Sequence, residues 1–151
     1  MSVPRKALIL LRRPGELLLG RKKRAFGAGR VVAPGGGLGP QETAPQAALR
    51  EAEEEVGLRP AGLKLCGELS FVFPYKPGWG MCASVFTAQC WTGDLRASDE
   101  LEPRWYALAK IPYAEMWPDA VHWLPKVLAG EFASMAFEYG EDETLSEVRR
   151  F

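Results

Sequence analysis

The run Gly36–Leu58, GGLGPQETAPQAALREAEEEVGL, decides how the rest of the chain is read. It puts four glutamates (Glu51, Glu53, Glu54, Glu55) inside five residues, beside Arg50 and behind a glycine-rich loop. Thr43 and Gln46 have the spacing of a capping box. Pro45 falls in a first turn, where its missing N–H costs nothing, and Gly57 is a C-terminal stop. The spacing therefore predicts a helix over about Ala44 to Val56. At about 100° per residue, Ala48, Leu49, Ala52 and Val56 form an apolar stripe suited to burial against a sheet. Arg50, Glu51, Glu54 and Glu55 share the adjoining arc, and Glu53 falls outside it.

Like charges one turn apart on a helix repel by roughly 0.2–0.5 kcal/mol per pair. Such a cluster needs open solvent, as on a solvated acidic face, or a cation in its midst. Converging carboxylates suit hard divalent cations such as Mg²⁺ or Mn²⁺, whose sites are commonly completed by substrate phosphates. The wider spacing bears on the choice. Gly36 is followed after five residues by Glu42, and after seven more by Arg50-Glu51. Then come aliphatic Ala52, any residue, Glu54-Glu55, any residue, Gly57 and aliphatic Leu58. This pattern resembles the signature box of the Nudix hydrolases at every defined position.

The resemblance implies a Mg²⁺-dependent hydrolase, with Mn²⁺ as an alternative, of a nucleoside diphosphate linked to another moiety. It implies that Glu51, Glu54 and Glu55 hold the metal together with the Gly35 carbonyl. Arg50 would orient a helix glutamate, and Glu42 would bracket the loop. The residues suit that chemistry. Attack of water on phosphorus needs charge neutralised on oxygen and an acidified nucleophile, and a carboxylate such as Glu54 is a candidate base.

Length and composition agree with a single small enzyme domain over residues 1–151. Nineteen basic and nineteen acidic residues leave no net charge, which argues against a general duplex nucleic-acid or membrane binder. Cys66, Cys82 and Cys90 form an odd set without a CxxC pair, which reads as reduced thiols and a cytoplasmic protein. The apolar run Ala7–Leu11 is short and leads into Arg12-Arg13-Pro14-Gly15, a strand and turn rather than a signal peptide or membrane span. A lone His122 has no partner at zinc-ligand spacing. No dimerisation stripe is evident, so a monomer is expected.

The remaining segments predict a sheet. Lys6–Leu11 and Leu17–Arg21 read as a hairpin, followed after the helix by strands over Gly62–Phe73, Met81–Gln89 and Trp105–Ala107. Tyr113–Met116 reads as a helical turn and Val121–Ala129 as a helix ended by Gly130. Phe132–Tyr139 and Glu143–Val148 suggest a closing hairpin. The expected architecture is one α/β domain with helices on a mixed sheet, like the Nudix α/β/α sandwich.

Outside the box, KKRAFGAGR (Lys22–Arg30), MWPDAVHW (Met116–Trp123) and Ser98–Glu100 resemble the eukaryotic MutT homologues, a family of oxidised-purine nucleoside triphosphate hydrolases. The resemblance implies a base stacked near Trp117, in a pocket walled by Leu8, Phe26, Phe71, Phe73 and Met81. Lys22 would lie near the ribose and phosphates. Glu100 would be a further metal ligand or the base for the attacking water. Asp119 would check the identity of the nucleobase, since a protonated carboxyl can donate where an ionised one only accepts.

Two positions depart from that family's pattern: Val32 stands where it has asparagine, and Ala120 where it has a second aspartate. Apolar replacements discriminate weakly, which predicts a relaxed or shifted base preference. The expected reaction converts a nucleoside triphosphate and water to the monophosphate and pyrophosphate, on purine and oxidised purine nucleotides. Dinucleoside polyphosphates, nucleotide sugars and capped RNA are alternative substrates, and a non-catalytic nucleotide-binding module is the contrasting class.

Overall fold

The computed structural model describes residues 3–151. Strands β1 (Arg5–Arg13) and β2 (Glu16–Lys22) meet at a Pro14-Gly15 turn, with Arg13 opposite Glu16. The order continues β3 (Val31–Val32), β4 (Gly35–Gly37), α1 (Ala44–Val56), β5 (Leu58–Ala61), β6 (Lys64–Val72), β7 (Met81–Ala88), β8 (Cys90–Gly93) and β9 (Leu101–Ala107). Two 3-10 turns, Leu108–Lys110 and Tyr113–Glu115, lead to α2 (Ala120–Leu128) and the closing hairpin of β10 (Ala133–Tyr139) and β11 (Leu145–Arg150). Among the described residues, no helix is long and apolar enough to cross a membrane.

The strands form one mixed sheet in the order β11-β10-β6-β7-β1-β2-β3, with β4 added to β1 and β9 to β2. β1 runs parallel to β7 and β6 parallel to β10, while the other pairs are antiparallel. β5 and β8 make a separate two-stranded ribbon. The strands β3, β4, β5 and β8 were not expected from sequence, and β9 begins four residues before the expected Trp105. These short segments carry Gly or Pro or have little alternation, so a neighbouring ladder, not local propensity, makes them strands.

Strand alternation sorts side chains to two cores, one on each face. From β1, Ala7, Ile9 and Leu11 join Leu18 beneath α1, where Ala47, Ala48, Ala52 and Val56 meet them. From the same hairpin, Leu10, Leu17 and Leu19 turn the other way, to Trp123, Leu124 and Val127 of α2. The two helices therefore cover opposite faces of the sheet.

Helix α1 forms as its caps dictate. Thr43 Oγ1 accepts from the Gln46 N–H at 3.3 Å, Gln46 Oε1 accepts from the Thr43 N–H at 2.9 Å, and Gly57 ends the helix at φ +78°. Its buried stripe differs from expectation at Leu49, which is 39% exposed, while Ala47 is fully buried. The helix is rolled so that alanines face β1 and β4, and their small side chains let it settle close to the glycines of β4. The same roll carries Glu51 and Glu55 inward and leaves Glu54 on the open side, with a side chain 58% exposed.

Candidate active site

Arg50 organises the acidic helix. Its Nε and Nη2 donate to the two oxygens of Glu42 at 2.8 and 2.9 Å, and Nη2 also reaches the Gly37 carbonyl at 3.0 Å. Nη1 donates to Glu51 Oε1 at 2.9 Å and Glu54 Oε2 at 3.2 Å. A planar guanidinium can serve three carboxylates at once because its five N–H groups diverge in a fixed fork. The Arg50 guanidinium and the Gly39 N–H hold the Glu42 carboxyl down at about 2.

Glu51 and Glu55 lie against the glycine strand. The Gly35 N–H donates to Glu55 Oε1 at 2.7 Å. A Cβ on Gly36 would sit 2.6 Å from the Glu51 carboxylate, and one on Gly35 would collide with the Ala7 carbonyl oxygen. Glycine is needed here for close approach of backbone to carboxylate and of β4 to β1. Burial pushes the Glu55 carboxyl up to about 7, helped by the nearby Glu51 charge and opposed by the Gly35 N–H. Burial also raises Glu51, against the pull of Arg50.

Each of these three carboxylates has one oxygen committed: Glu51 Oε1 and Glu54 Oε2 to Arg50, Glu55 Oε1 to Gly35. Glu51 Oε2, Glu54 Oε1 and Glu55 Oε2 have no hydrogen-bond partner among the described residues, and none is an orphan sealed in the interior. Spare carboxylate oxygens beside a buried negative charge fit a hard divalent cation. Among the described residues, no three carboxylate, histidine or cysteine groups converge closely enough to hold a metal ion by themselves. A cation here would therefore need waters or substrate oxygens to complete its shell. Glu100 is paired with Arg24, not with Arg50. Its Oε1 accepts from Arg24 Nε and Nη2 at 3.0 and 2.8 Å, although its charge still acts on Glu55.

Next to the glutamates a pocket opens, with α2 forming part of its wall. Leu8, Lys22, Phe26, Val32, Phe71, Phe73, Met81, Trp117 and Asp119 all line it, together with Gly35 and Gly36. Strand geometry explains the gathering. Leu8 and Leu10 share one face of β1, and Phe71 is paired with Met81 across β6 and β7. Trp117 comes from the loop before α2, where it stacks on Phe26 (centroids 5.3 Å, 14° between planes) and carries the Arg30 guanidinium at 4.0 Å. Phe73 stacks on Tyr139 at 4.9 Å. Such faces grip a planar group without reading its edge.

Asp119 is 6% exposed and its carboxylate is occupied. Oδ2 accepts from Trp123 Nε1 at 2.7 Å and Oδ1 accepts from the Tyr139 hydroxyl, which in turn accepts from the Asp119 N–H at 3.0 Å. Burial raises its pKa, and the two side-chain donors oppose that shift. Sequence reading named Asp119 but not Tyr139 or Trp123. Trp123 lies four residues past Asp119, a spacing that could have marked it, whereas the contact to Tyr139 spans 20 residues and has no local signal. Lys6 also lines the pocket and went unnamed. Its signal was available: two residues before Leu8, it lies on the same strand face.

Residues 2–127 match the NUDIX domain family. The chain is 37% identical over 138 residues to the oxidized purine nucleoside triphosphate hydrolase of Mus musculus, covering 91% of this chain and 88% of that protein. The Danio rerio protein of the same name is 40% identical over 121 residues, covering 80% and 77%. Among solved structures, the MutT protein from Bacillus halodurans superposes with a TM-score of 0.86 over 97% of each chain, at 24% identity. That last likeness speaks for the fold.

Proposed function

This chain belongs to the NUDIX family and is a Nudix hydrolase, and within that family we propose a nucleoside triphosphate pyrophosphohydrolase acting on purine nucleotides, oxidised purines among them. Water and a triphosphate give the monophosphate and pyrophosphate. The observation that carries this reading is the continuity of the site: Gly35 and Gly36 touch Glu55 and Glu51 on one side and line the aromatic pocket on the other. A base in the pocket would lead its phosphates directly to the acidic helix. The relatives of Mus musculus and Danio rerio, matched over most of their length, support the triphosphate class.

We assign Mg²⁺, with Mn²⁺ as a substitute, to the spare oxygens of Glu51, Glu54 and Glu55, with the Gly35 carbonyl beside them. When bound, the cation would offset charge on the phosphate oxygens and acidify water. The chain's own part is positioning. Arg50 fixes Glu51 and Glu54, Gly35 fixes Glu55, and Lys22 meets the ribose–phosphate end. Glu54, the most open of the three, takes a proton from the attacking water. Glu100, held by Arg24, is the secondary candidate for that role or for a further ligand.

Pocket chemistry supports a relaxed base preference. Val32 and Ala120 are apolar, and Asp119 already accepts from Tyr139 and Trp123. Residues 1–151 are taken as one domain, because β10 and β11, beyond the matched region, complete the same sheet through β6. A cytoplasmic monomer handling small nucleotides, not duplex nucleic acid or membrane, accords with the balanced charge. The test is turnover with Mg²⁺ over normal, oxidised and methylated nucleoside triphosphates, dinucleotides and nucleotide sugars. Pyrophosphate release from purine triphosphates is expected, abolished by EDTA. Orthophosphate as product, or turnover confined to dinucleotides or nucleotide sugars, would overturn the reading.

A further inference from the structure

Lys6 is a charged residue in an apolar row. It precedes Leu8 and Leu10 on the pocket face of β1, opposite Gly37 of β4, and so stands where the aromatic pocket joins the glycine strand. The side chain is half-buried with its ammonium still reaching water, and among the described residues it makes no hydrogen bond and no ion pair. Its Nζ lies over the Phe26 ring, 5.3 Å from the centroid. Lys22 lines the same pocket and likewise has no carboxylate partner within ion-pair distance. Lys23 and Arg24, its neighbours in sequence, are both paired with glutamates. Burial and then the Lys22 charge pull the Lys6 ammonium below its usual range, while Glu51 and Glu55 act in the opposite sense.

An ammonium partly withdrawn from water with no ion-pair partner is costly, and a second cation nearby adds to the cost. The cost is relieved by an anion entering between the two lysines. Both lysines line the pocket together with Gly35 and Gly36, which touch Glu55 and Glu51 of the acidic helix. A group joining a nucleoside to its first phosphate would lie there.

We propose that Lys6, together with Lys22, binds the nucleoside-proximal phosphate of the substrate and so sets the register of the phosphate chain against the acidic helix. The assignment rests on the nucleotide reading above. Lysine suits the task as a point charge with three donors, satisfied by whichever phosphate oxygen faces it. The contact is blind to the base, which agrees with a pocket that reads base edges weakly.

The test uses the purified full chain and two probes, deoxyguanosine monophosphate and deoxyguanosine, which differ only in the phosphate. Lys6→Met keeps the length and apolar stem of the side chain and removes the charge. Calorimetric titration should show the monophosphate bound about ten- to hundredfold more weakly by Lys6→Met, the loss expected for a charge-assisted hydrogen bond. Affinity for deoxyguanosine should hold, Lys6→Arg should recover most of the monophosphate affinity, and Lys6→Met should show a shallower salt dependence. Unchanged monophosphate affinity overturns the proposal, whether or not the variant loses stability. Equal losses for both probes overturn it too, by making Lys6 a base contact. Failure of the hydrolase reading shows separately, as absent triphosphate turnover by the wild type whatever Lys6 does to monophosphate binding.

Discussion

Arg50 grips Glu42 with two parallel hydrogen bonds of 2.8 and 2.9 Å, eight residues back in the chain, and spends its remaining nitrogen on Glu51 and Glu54. The loop before α1 is thereby tied to two carboxylates of the acidic helix. Lysine has the charge but not the fork. Arg50→Lys is expected to lower kcat/KM by up to about a hundredfold, the usual scale for losing a group that orients metal ligands. Mg²⁺-titrated turnover checks this, with circular dichroism to show α1 retained.

The same pair makes stability depend on pH. Glu42 is held at about 2 in the folded protein, against an ordinary value of 4.5. A carboxyl lowered by folding contributes stability that is present above its unfolded pKa and is lost as pH falls towards the folded one. The contribution of this pair is therefore expected to fade between about pH 4.5 and 2. Urea midpoints of the wild type and Glu42→Gln should converge across that window. A constant difference down to the acid limit would sink the assignment.

Gly36 and Gly35 separate two effects that a glycine loop usually blends. A Cβ on Gly36 meets the Glu51 carboxylate, the movable end of a side chain, whereas one on Gly35 meets the backbone of β1. Gly36→Ala should keep its melting temperature and lose about a hundredfold in kcat, the scale of a 1 Å misplacement. Gly35→Ala should lose about 1–3 kcal/mol of stability through overpacking. Thermal unfolding and steady-state kinetics on both variants distinguish the outcomes.

Tyr139 and Asp119 form a closed loop, hydroxyl to carboxylate and backbone N–H to hydroxyl, at the base of the pocket. Tyr139→Phe leaves both ends without a partner in a buried place. The expected cost is about 1–3 kcal/mol in urea denaturation. Stability unaltered by that change would mean that water replaces the hydroxyl.

Base selection should be weak in the wild type and recoverable. With Val32 and Ala120 in the pocket, little preference for 8-oxo-dGTP over dGTP is expected. Val32→Asn adds a donor and an acceptor to the pocket wall and should widen the ratio of kcat/KM values by about tenfold. A large preference in the wild type would falsify the view that these two residues loosen recognition.

Much of the phosphate end was legible before folding was considered. Thr43, Gln46 and Gly57 delimit α1, and the glutamate spacing needs only helical geometry to be interpreted. The roll of α1 was less accessible. Leu49 looked like a core residue by periodicity, but alanines are what fit against a strand of glycines, so Ala47 is inside and Leu49 is not. Short strands such as β3 and β5 were invisible for a related reason, because only a neighbour across the ladder makes them strands.

Sequence by itself determined the chemistry available: an acidic helix with an arginine, a glycine-rich loop before it, and aromatic residues elsewhere to hold a planar group. Those are matters of residue type and short spacing, set within about one or two helical turns. Tertiary structure alone decided which oxygens are spare, that Asp119 is engaged by Tyr139, and that Lys6 faces the pocket without a partner. Such facts depend on groups brought together from distant segments. Free hydrogen-bonding capacity is what remains after those partners are counted, so no local stretch of sequence contains it.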